Sequence, residues 1–257
     1  MAIRLIIDSA SDILPEEAKA LGIIHLPLQL RIDDWEYLDG VTLMHKEFYE
    51  KLIESAAFPV TSQITPGQYT DAIREVVGAG DTAFIITLSS RLSGTYQSAC
   101  IAAAEYPGQA FVVDSLNATI GERLLILYAH RLIEQGITAE ALAAELEEAR
   151  GKIRLLAVLD TLVYLKKGGR ISAATAFAGD LLSIKPVVTV KDGAVILCGK
   201  ARGSKNSGNQ LRKLVNESRG IDFTRPYATA YSGLSDAMIR KYIADNADLW
   251  SENIELH

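Results

Sequence analysis

The sequence predicts an α/β protein of two unequal domains: a mostly parallel-sheet domain over residues 1–152 and a smaller α+β domain over 153–257. Three observations carry this. The chain has 257 residues, close to the size at which a single core divides in two. About the first 150 residues alternate short apolar runs with helix-period stretches, the rhythm of βαβ units on a parallel sheet. From Ile153 onward the strands shorten and glycine turns separate them.

Taken in order, Ile3 to Ile7 is a first strand, too short and too soon closed by Asp8 to be a signal peptide. Leu26 to Ile32, the Asp33-Asp34 turn and Glu36 to Leu38 read as a hairpin at a sheet edge. Ala83 to Leu88 and Ala110 to Val113 are further strands, each leading into a helix. Gly121 to Gln135 and Thr138 to Arg150 are successive helices, the second capped by Thr138 with Leu142 and Leu146 one turn apart. In the second domain Leu155 to Leu159, Pro186 to Val190 and Ala194 to Leu197 are strands, the last two joined at Lys191-Asp192-Gly193. A helix over Asn206 to Ser218, a strand over Tyr227 to Tyr231 and a helix over Ser235 to Asn246 precede a final run, Ser251 to His257.

Composition narrows the function classes. Hydrophobic residues at 49% and charged residues at 23% describe a packed globular chain, and a net charge of -6 disfavours uniform binding to nucleic acid or anionic membrane. No stretch approaches the ~18 uninterrupted apolar residues of a membrane span. Cys100 and Cys198 stand far apart without metal spacing, which fits a reducing, cytoplasmic setting.

Several motifs fail on context. Gly78-Ala79-Gly80-Asp81-Thr82-Ala83 has the letters of a dinucleotide fingerprint but follows a helix and precedes a strand, so it is a turn. Gly193 through Lys200 has the wrong spacing for a phosphate loop and reads as a hairpin. The four histidines, His25, His45, His130 and His257, are dispersed and suggest no zinc site, and no GxSxG elbow surrounds a serine.

Three hydroxyl-rich segments survive. Leu88 to Ala99, with Ser89, Ser90, Ser93, Gly94 and Thr95, follows a strand and opens a helix, where unpaired backbone N–H groups and hydroxyls suit a carboxylate or phosphate. A serine cap on an ordinary helix explains the same letters. Thr61-Ser62-Gln63-Ile64-Thr65-Pro66-Gly67 leads into another helix, and Asp114 to Thr119 follows a strand. Strand-end loops of an open parallel sheet converge on one crevice, so together they form an uncharged anion cradle.

These segments, with Asp8-Ser9-Ala10-Ser11-Asp12 and Tyr164-Leu165-Lys166-Lys167-Gly168-Gly169-Arg170-Ile171-Ser172, resemble the DegV family of fatty-acid-binding proteins over essentially the whole chain. The resemblance implies a two-domain fold enclosing a long-chain fatty acid in a tunnel between the domains. It further implies a non-catalytic role, presenting the lipid to a bacterial fatty acid kinase that phosphorylates the carboxylate. By the same analogy Thr61, Ser62, Ser93 and the backbone at Gly94 hold the carboxylate, and Arg170 and Arg202 engage the kinase. Family chains continue past Ser251 to His257 into a last strand and loop, so the smaller domain is expected to lack them here. No cofactor beyond the bound fatty acid is implied.

Two further readings accompany this one. Ala173, Ala174, Ala176, Phe177, Ala178, Leu181 and Leu182 are candidate walls for the acyl chain, or simply a small-residue core helix. Lys166 to Lys213 carries a net charge of +8 against -14 for the rest, which suits an acidic or nucleotide-loaded partner, a nucleic acid or plain solvation. No nucleic-acid reading motif accompanies the run, and membrane contact is expected to be transient at most. The rival to lipid carriage is a serine-dependent acyl or phosphoryl transferase or hydrolase with Ser93 as nucleophile.

Overall fold

The computed structural model describes residues 1–55, 57–172, 184–250 and 256. They divide into two compact units, Met1–Ile153 and Arg154–His257. The first runs β1 (Ile3–Asp8), α1 (Pro15–Ala20), β2 (Ile24–Leu26), β3 (Gln29–Ile32), β4 (Trp35–Leu38), α2 (His45–Glu54), β5 (Val60–Ser62), α3 (Pro66–Gly78), β6 (Thr82–Thr87), α4 (Thr95–Ala103), β7 (Ala110–Asp114), α5 (Ile120–Glu134) and α6 (Ala139–Arg150).

Its main sheet is wholly parallel in the order β2-β1-β6-β7. Helices cover both faces, which is why β1 and β6 read as continuous apolar runs rather than alternating ones. Leu5, Ile7, Phe84, Ile86 and Val113 pack with Leu125, Ile126, Leu142 and Leu146 of α5 and α6. Ile6, Ala83 and Ile85 pack on the other face with Tyr69, Ile73 and Val76 of α3 and Ala99 and Ala102 of α4. The caps hold as expected: the Thr138 hydroxyl accepts from the Ala141 N–H at 3.3 Å, and Thr65 with Gln68 forms a capping box that starts α3 behind Pro66.

The hairpin forms, but not as an edge of the main sheet. Leu26 closes the parallel strand β2, and Gln29–Ile32 then pairs with Trp35–Leu38 and Val60–Ser62 in a separate antiparallel sheet, order β4-β3-β5. A second small core of Leu30, Ile32 and Leu43 makes this possible. The Gly78–Gly80 segment ends α3 and feeds β6, with Gly80 in the left-handed region at φ 85°.

The second unit runs β8 (Leu156–Val158), α7 (Val163–Lys167), β9 (Ile184–Lys191), β10 (Ala194–Arg202), α8 (Gly203–Glu217) and α9 (Ala237–Asp245). Its antiparallel sheet has the order β10-β9-β8 around Leu162, Ile171 and Val188. The expected strand over Tyr227 to Tyr231 is reduced to an isolated bridge between Thr229 and Leu256. Its small alternate residues, Ala228 and Ala230, offer little to bury against a neighbour. The wall candidates from Ala173 to Leu182, and most of Ser251 to His257, lie outside the described residues.

Candidate anion-binding loops

The loops at the carboxyl ends of β1, β6 and β7 are tied to one another through buried carboxylates and backbone. Asp8, closing β1, accepts from the Ala10 N–H at 3.0 Å and, across to the next strand end, from the Leu88 N–H at 2.8 Å. Asp114, closing β7, accepts from the Ser90 and Leu116 N–H groups at 3.2 and 2.9 Å. The Ser89 N–H donates to the Asn117 carbonyl at 2.7 Å, and the Thr119 N–H to the Ala10 carbonyl at 2.7 Å. Thr87 pairs in register with Asp114, and Asp8 follows the Ile7 to Ile86 pair, so Asp8, Thr87 and Asp114 form a row across three strands.

Asp8 is the strongly desolvated member of that row. Burial pushes the Asp8 carboxyl from 3.8 up to about 7, outweighing its two backbone hydrogen bonds. Asp12 rises to about 6 for the same reason, against the pull of His45 and Arg123.

The loop after β6 brings Ser93 to the start of α4. The Ser93 hydroxyl lies 2.9 Å from that of Thr95 and accepts from the Thr95 N–H at 3.3 Å, so it serves as a local cap while remaining partly exposed. Gly94 occupies the N-cap position without a side chain, and the first-turn N–H groups of a helix have no partner within it. No basic or acidic side chain is bonded to Ser93 among the described contacts; its partner is Thr95.

Gln63 connects this turn to the strand end carrying Thr61 and Ser62. Its Nε2 donates to the buried Ser98 hydroxyl of α4 at 2.9 Å. Its Oε1 passes over Gly94 so closely that a Cβ there would sit 1.9 Å away. Gly94 is therefore glycine for space, since its φ of -74° is open to any residue. Thr61 and Ser62 are both exposed, and strand alternation sets them on opposite faces: Thr61 shares the face of Leu30, Ser62 that of Gln29. The third hydroxyl segment is occupied by its own turn, because the Ser115 hydroxyl donates to the Asn117 carbonyl and accepts from the Asn117 N–H, each at 3.1 Å.

A family model described as an uncharacterised protein of the DegV family matches residues 2–247. The chain belongs to the DegV family. A DegV domain-containing protein of Caldanaerobacter subterraneus subsp. tengcongensis is 35% identical over 224 residues, covering 86% of this chain and 79% of that one. Among solved structures, a DegV-family protein from Thermus thermophilus described for its fatty acid binding is 34% identical with a TM-score of 0.87, covering 100% of this chain and 92% of its own. The Streptococcus pneumoniae fatty acid kinase (Fak) B3 protein loaded with linoleic acid is 24% identical with a TM-score of 0.83, covering 100% and 92%, and shares the fold.

Sequence reasoning thus reached the α/β fold from the alternation of strands and helices, and the DegV family from the hydroxyl motifs together with Asp8 to Asp12 and Tyr164 to Ser172. It missed Gln63 as the connecting side chain and Asp8 as the staple between strand ends. Both stand inside motifs already singled out, but their partners are 35 and 80 residues away. In the second unit, Arg170 turns its guanidinium back onto the Gly168 carbonyl after α7, while Arg202 is exposed at the end of β10 and stands at the N-cap position of α8 without a side-chain capping bond. Part of the basic run is spent locally, Lys185 on Asp160, Arg212 on Asp248 and Lys213 on Glu217. Among the described residues no cluster of His, Cys, Asp and Glu could hold a metal ion, and no helix is long and apolar enough to cross a membrane.

Proposed function

We propose that this DegV-family chain is a non-catalytic carrier that binds a long-chain fatty acid and presents its carboxylate to a fatty acid kinase. The carboxylate is held by the Ser93 hydroxyl and Gly94 backbone at the start of α4, with Thr61 and Ser62 beside them. The observation that carries this reading is the Gln63 side chain, which couples the Thr61–Ser62 strand end to the first turn of α4. The fatty acid bound by the Thermus thermophilus relative, 34% identical, supports the ligand class. Hydroxyls and N–H groups around a helix start favour an anion without a full countercharge. Each charge-assisted bond contributes about 1.5–3 kcal/mol, and each buried methylene about 0.8 kcal/mol. The tail therefore dominates affinity, and the loops set where the carboxylate sits.

Mass spectrometry of organic extracts from the purified protein tests the carrier reading: stoichiometric fatty acid is expected, and its absence together with turnover of acyl or phosphoryl esters would replace carriage by catalysis. Ser93→Ala and Thr61→Ala should each weaken fatty-acid binding by about 10-fold, the equivalent of one charge-assisted bond, with little change in melting temperature. Wild-type affinity in both variants would displace the carboxylate from these loops.

The kinase half of the proposal rests on Arg170 and Arg202, whose planar guanidinium groups suit carboxylates or phosphates at an interface. Replacing either by alanine should leave fatty-acid occupancy unchanged and slow kinase-dependent phosphorylation. Raised salt should mimic the substitution, because it screens exposed charges over about 8–10 Å and leaves a buried tail untouched. Loss of bound lipid with unchanged kinase association would instead assign these arginines to the ligand.

A further inference from the structure

Among the described residues Asp8 and Glu122 are carboxylates at 0% exposure; Asp8 is bonded to two backbone N–H groups, whereas Glu122 has no evident task in the proposed function. It lies in the first turn of α5 at 0% exposure, and neither of its carboxylate oxygens meets a hydrogen-bond partner among the described residues. Its surroundings are acidic from several directions: Asp8 at the end of β1, Asp12 in the turn that follows, and Asp114 at the end of β7 all act on it. Tyr69 of α3 stands in the same field, and its hydroxyl is also buried and unpartnered.

Among the described residues the nearby cations make their hydrogen bonds elsewhere, and the Arg123 Nε, buried without a hydrogen-bond partner, makes none to Glu122. Arg123, its neighbour in sequence, pairs with Glu17 of α1 and donates to the Asp12 carbonyl at 3.2 Å. Arg150 of α6 donates to the Asp114 carbonyl at 2.8 Å. An acid in the first turn of a helix is ordinarily a solvated charge that favours the helix dipole. Buried without a partner among three other carboxyl groups, an ionised Glu122 would meet only desolvation and repulsion.

The same turn is wired to the ligand loops. Gly121 lies against the Asn117 side chain, so close that a Cβ would fall 2.5 Å from Asn117 Oδ1. The Asn117 carbonyl accepts from the Ser89 N–H, at the head of the loop that carries Ser93. Thr119, preceding α5, bonds the Ala10 carbonyl in the loop that Asp8 staples to Leu88.

We propose that Glu122 is a positioning residue held as a neutral carboxylic acid, and that the loops from Asp8 to Ala10 and Leu88 to Gly94 keep their anion-holding arrangement only while it retains its proton. The direction of its titration agrees, since burial first and then Asp8, Asp12 and Asp114 raise it well above the usual carboxylate range. Ionisation would add a negative charge beneath a site for anions and strain the turn that braces Ser89.

The ligand consequence rests on the fatty-acid reading, whereas the loop consequence does not, and the experiment separates them. Infrared spectra of the ligand-free protein at pH about 8, above the Asp8 titration near 7, should show a protonated carboxyl band that Glu122→Gln removes. Hydrogen exchange in Leu88–Gly94 should rise with pH above that of Glu122→Gln measured at the same pH, where intrinsic exchange cancels. Fatty-acid affinity in the wild type should fall by about tenfold per pH unit above the carboxyl's titration, more steeply than in Glu122→Gln, where only the response of Asp8 near 7 is left. Glu122→Met, neutral and similar in length, should behave like the glutamine variant and guards against an effect of the buried amide.

Absence of the band, or equal pH responses in wild type and both variants, overturns the proposal. A band and an exchange difference without fatty-acid binding in any variant would uphold it and overturn the carrier function instead.

Discussion

Gly94→Ala is expected to weaken fatty-acid binding by about 10- to 100-fold, the loss of one or two charge-assisted bonds, while the protein still folds. The backbone does not resist the change, since Gly94 sits at φ -74° and ψ 0°. The resistance is steric: the new Cβ would lie 1.9 Å from Gln63 Oε1 and 2.8 Å from its Cδ. Gln63 is exposed and flexible enough to leave, but in leaving it gives up the Ser98 hydroxyl. Ser98 is buried at 1% exposure, so an unpaired hydroxyl there costs about 1–3 kcal/mol. At roughly 2–4 °C per kcal/mol for a protein of this size, the melting temperature should fall by several degrees only.

Gln63→Ala separates the two consequences of that substitution. It removes the tie without adding a clash, so it should reproduce most of the affinity loss, and the double variant should be little worse than either single one. Such non-additivity is the signature of a shared interaction. Strictly additive losses would mean that Gly94 and Gln63 act independently and that the Thr61–Ser62 strand end is not held in place through α4.

Much of this fold was legible because of how the parallel sheet is buried. Ile3 to Ile7 and Ala83 to Leu88 are covered on both faces, so they stand out as apolar runs, and Thr138 announces α6 by its capping chemistry. The family followed from ordered motifs in the strand-end loops and from the Tyr164 to Ser172 segment of the second unit. The small sheet was harder to read. Val60–Ser62 is three residues long and exposed throughout, so no periodicity marks it as a strand, and it exists only because Leu30 and Arg31 offer a partner edge. Gln63 looks like one polar residue in a hydroxyl cluster until the chain returns 35 residues later with Ser98. Glu122 reads as an ordinary first-turn acid, and its burial depends on Gly121 letting the turn sink against Asn117.

Buried Asp8 also governs stability against pH, and the expected effect is large. In the unfolded chain Asp8 loses its proton near 3.8, whereas in the folded protein it keeps it to about 7. Between those values the native state binds more protons, so stability is fully present below pH 3.8 and is lost as pH rises through 7. At about 1.4 kcal/mol per pH unit, the rise from pH 5 to pH 8 removes roughly 3 kcal/mol through Asp8 alone. Asp12, raised to about 6, and Glu122 act with the same sign. His25, which burial holds below its usual 6.5, acts with the opposite sign in this window and offsets part of the slope; Asp81, Asp222 and Asp248 are shifted downward and are already ionised throughout it. The melting temperature should therefore be higher at pH 5 than at pH 8 by roughly 5–10 °C. Asp8→Asn should flatten much of that slope. It should also lower stability at pH 5, because an amide offers one acceptor oxygen where the carboxyl meets the N–H groups of both Ala10 and Leu88. Thermal unfolding followed by circular dichroism across this range decides the matter: a wild-type melting temperature that is level or rises toward pH 8, or an undiminished slope in Asp8→Asn, would show that burial does not control the protonation of Asp8.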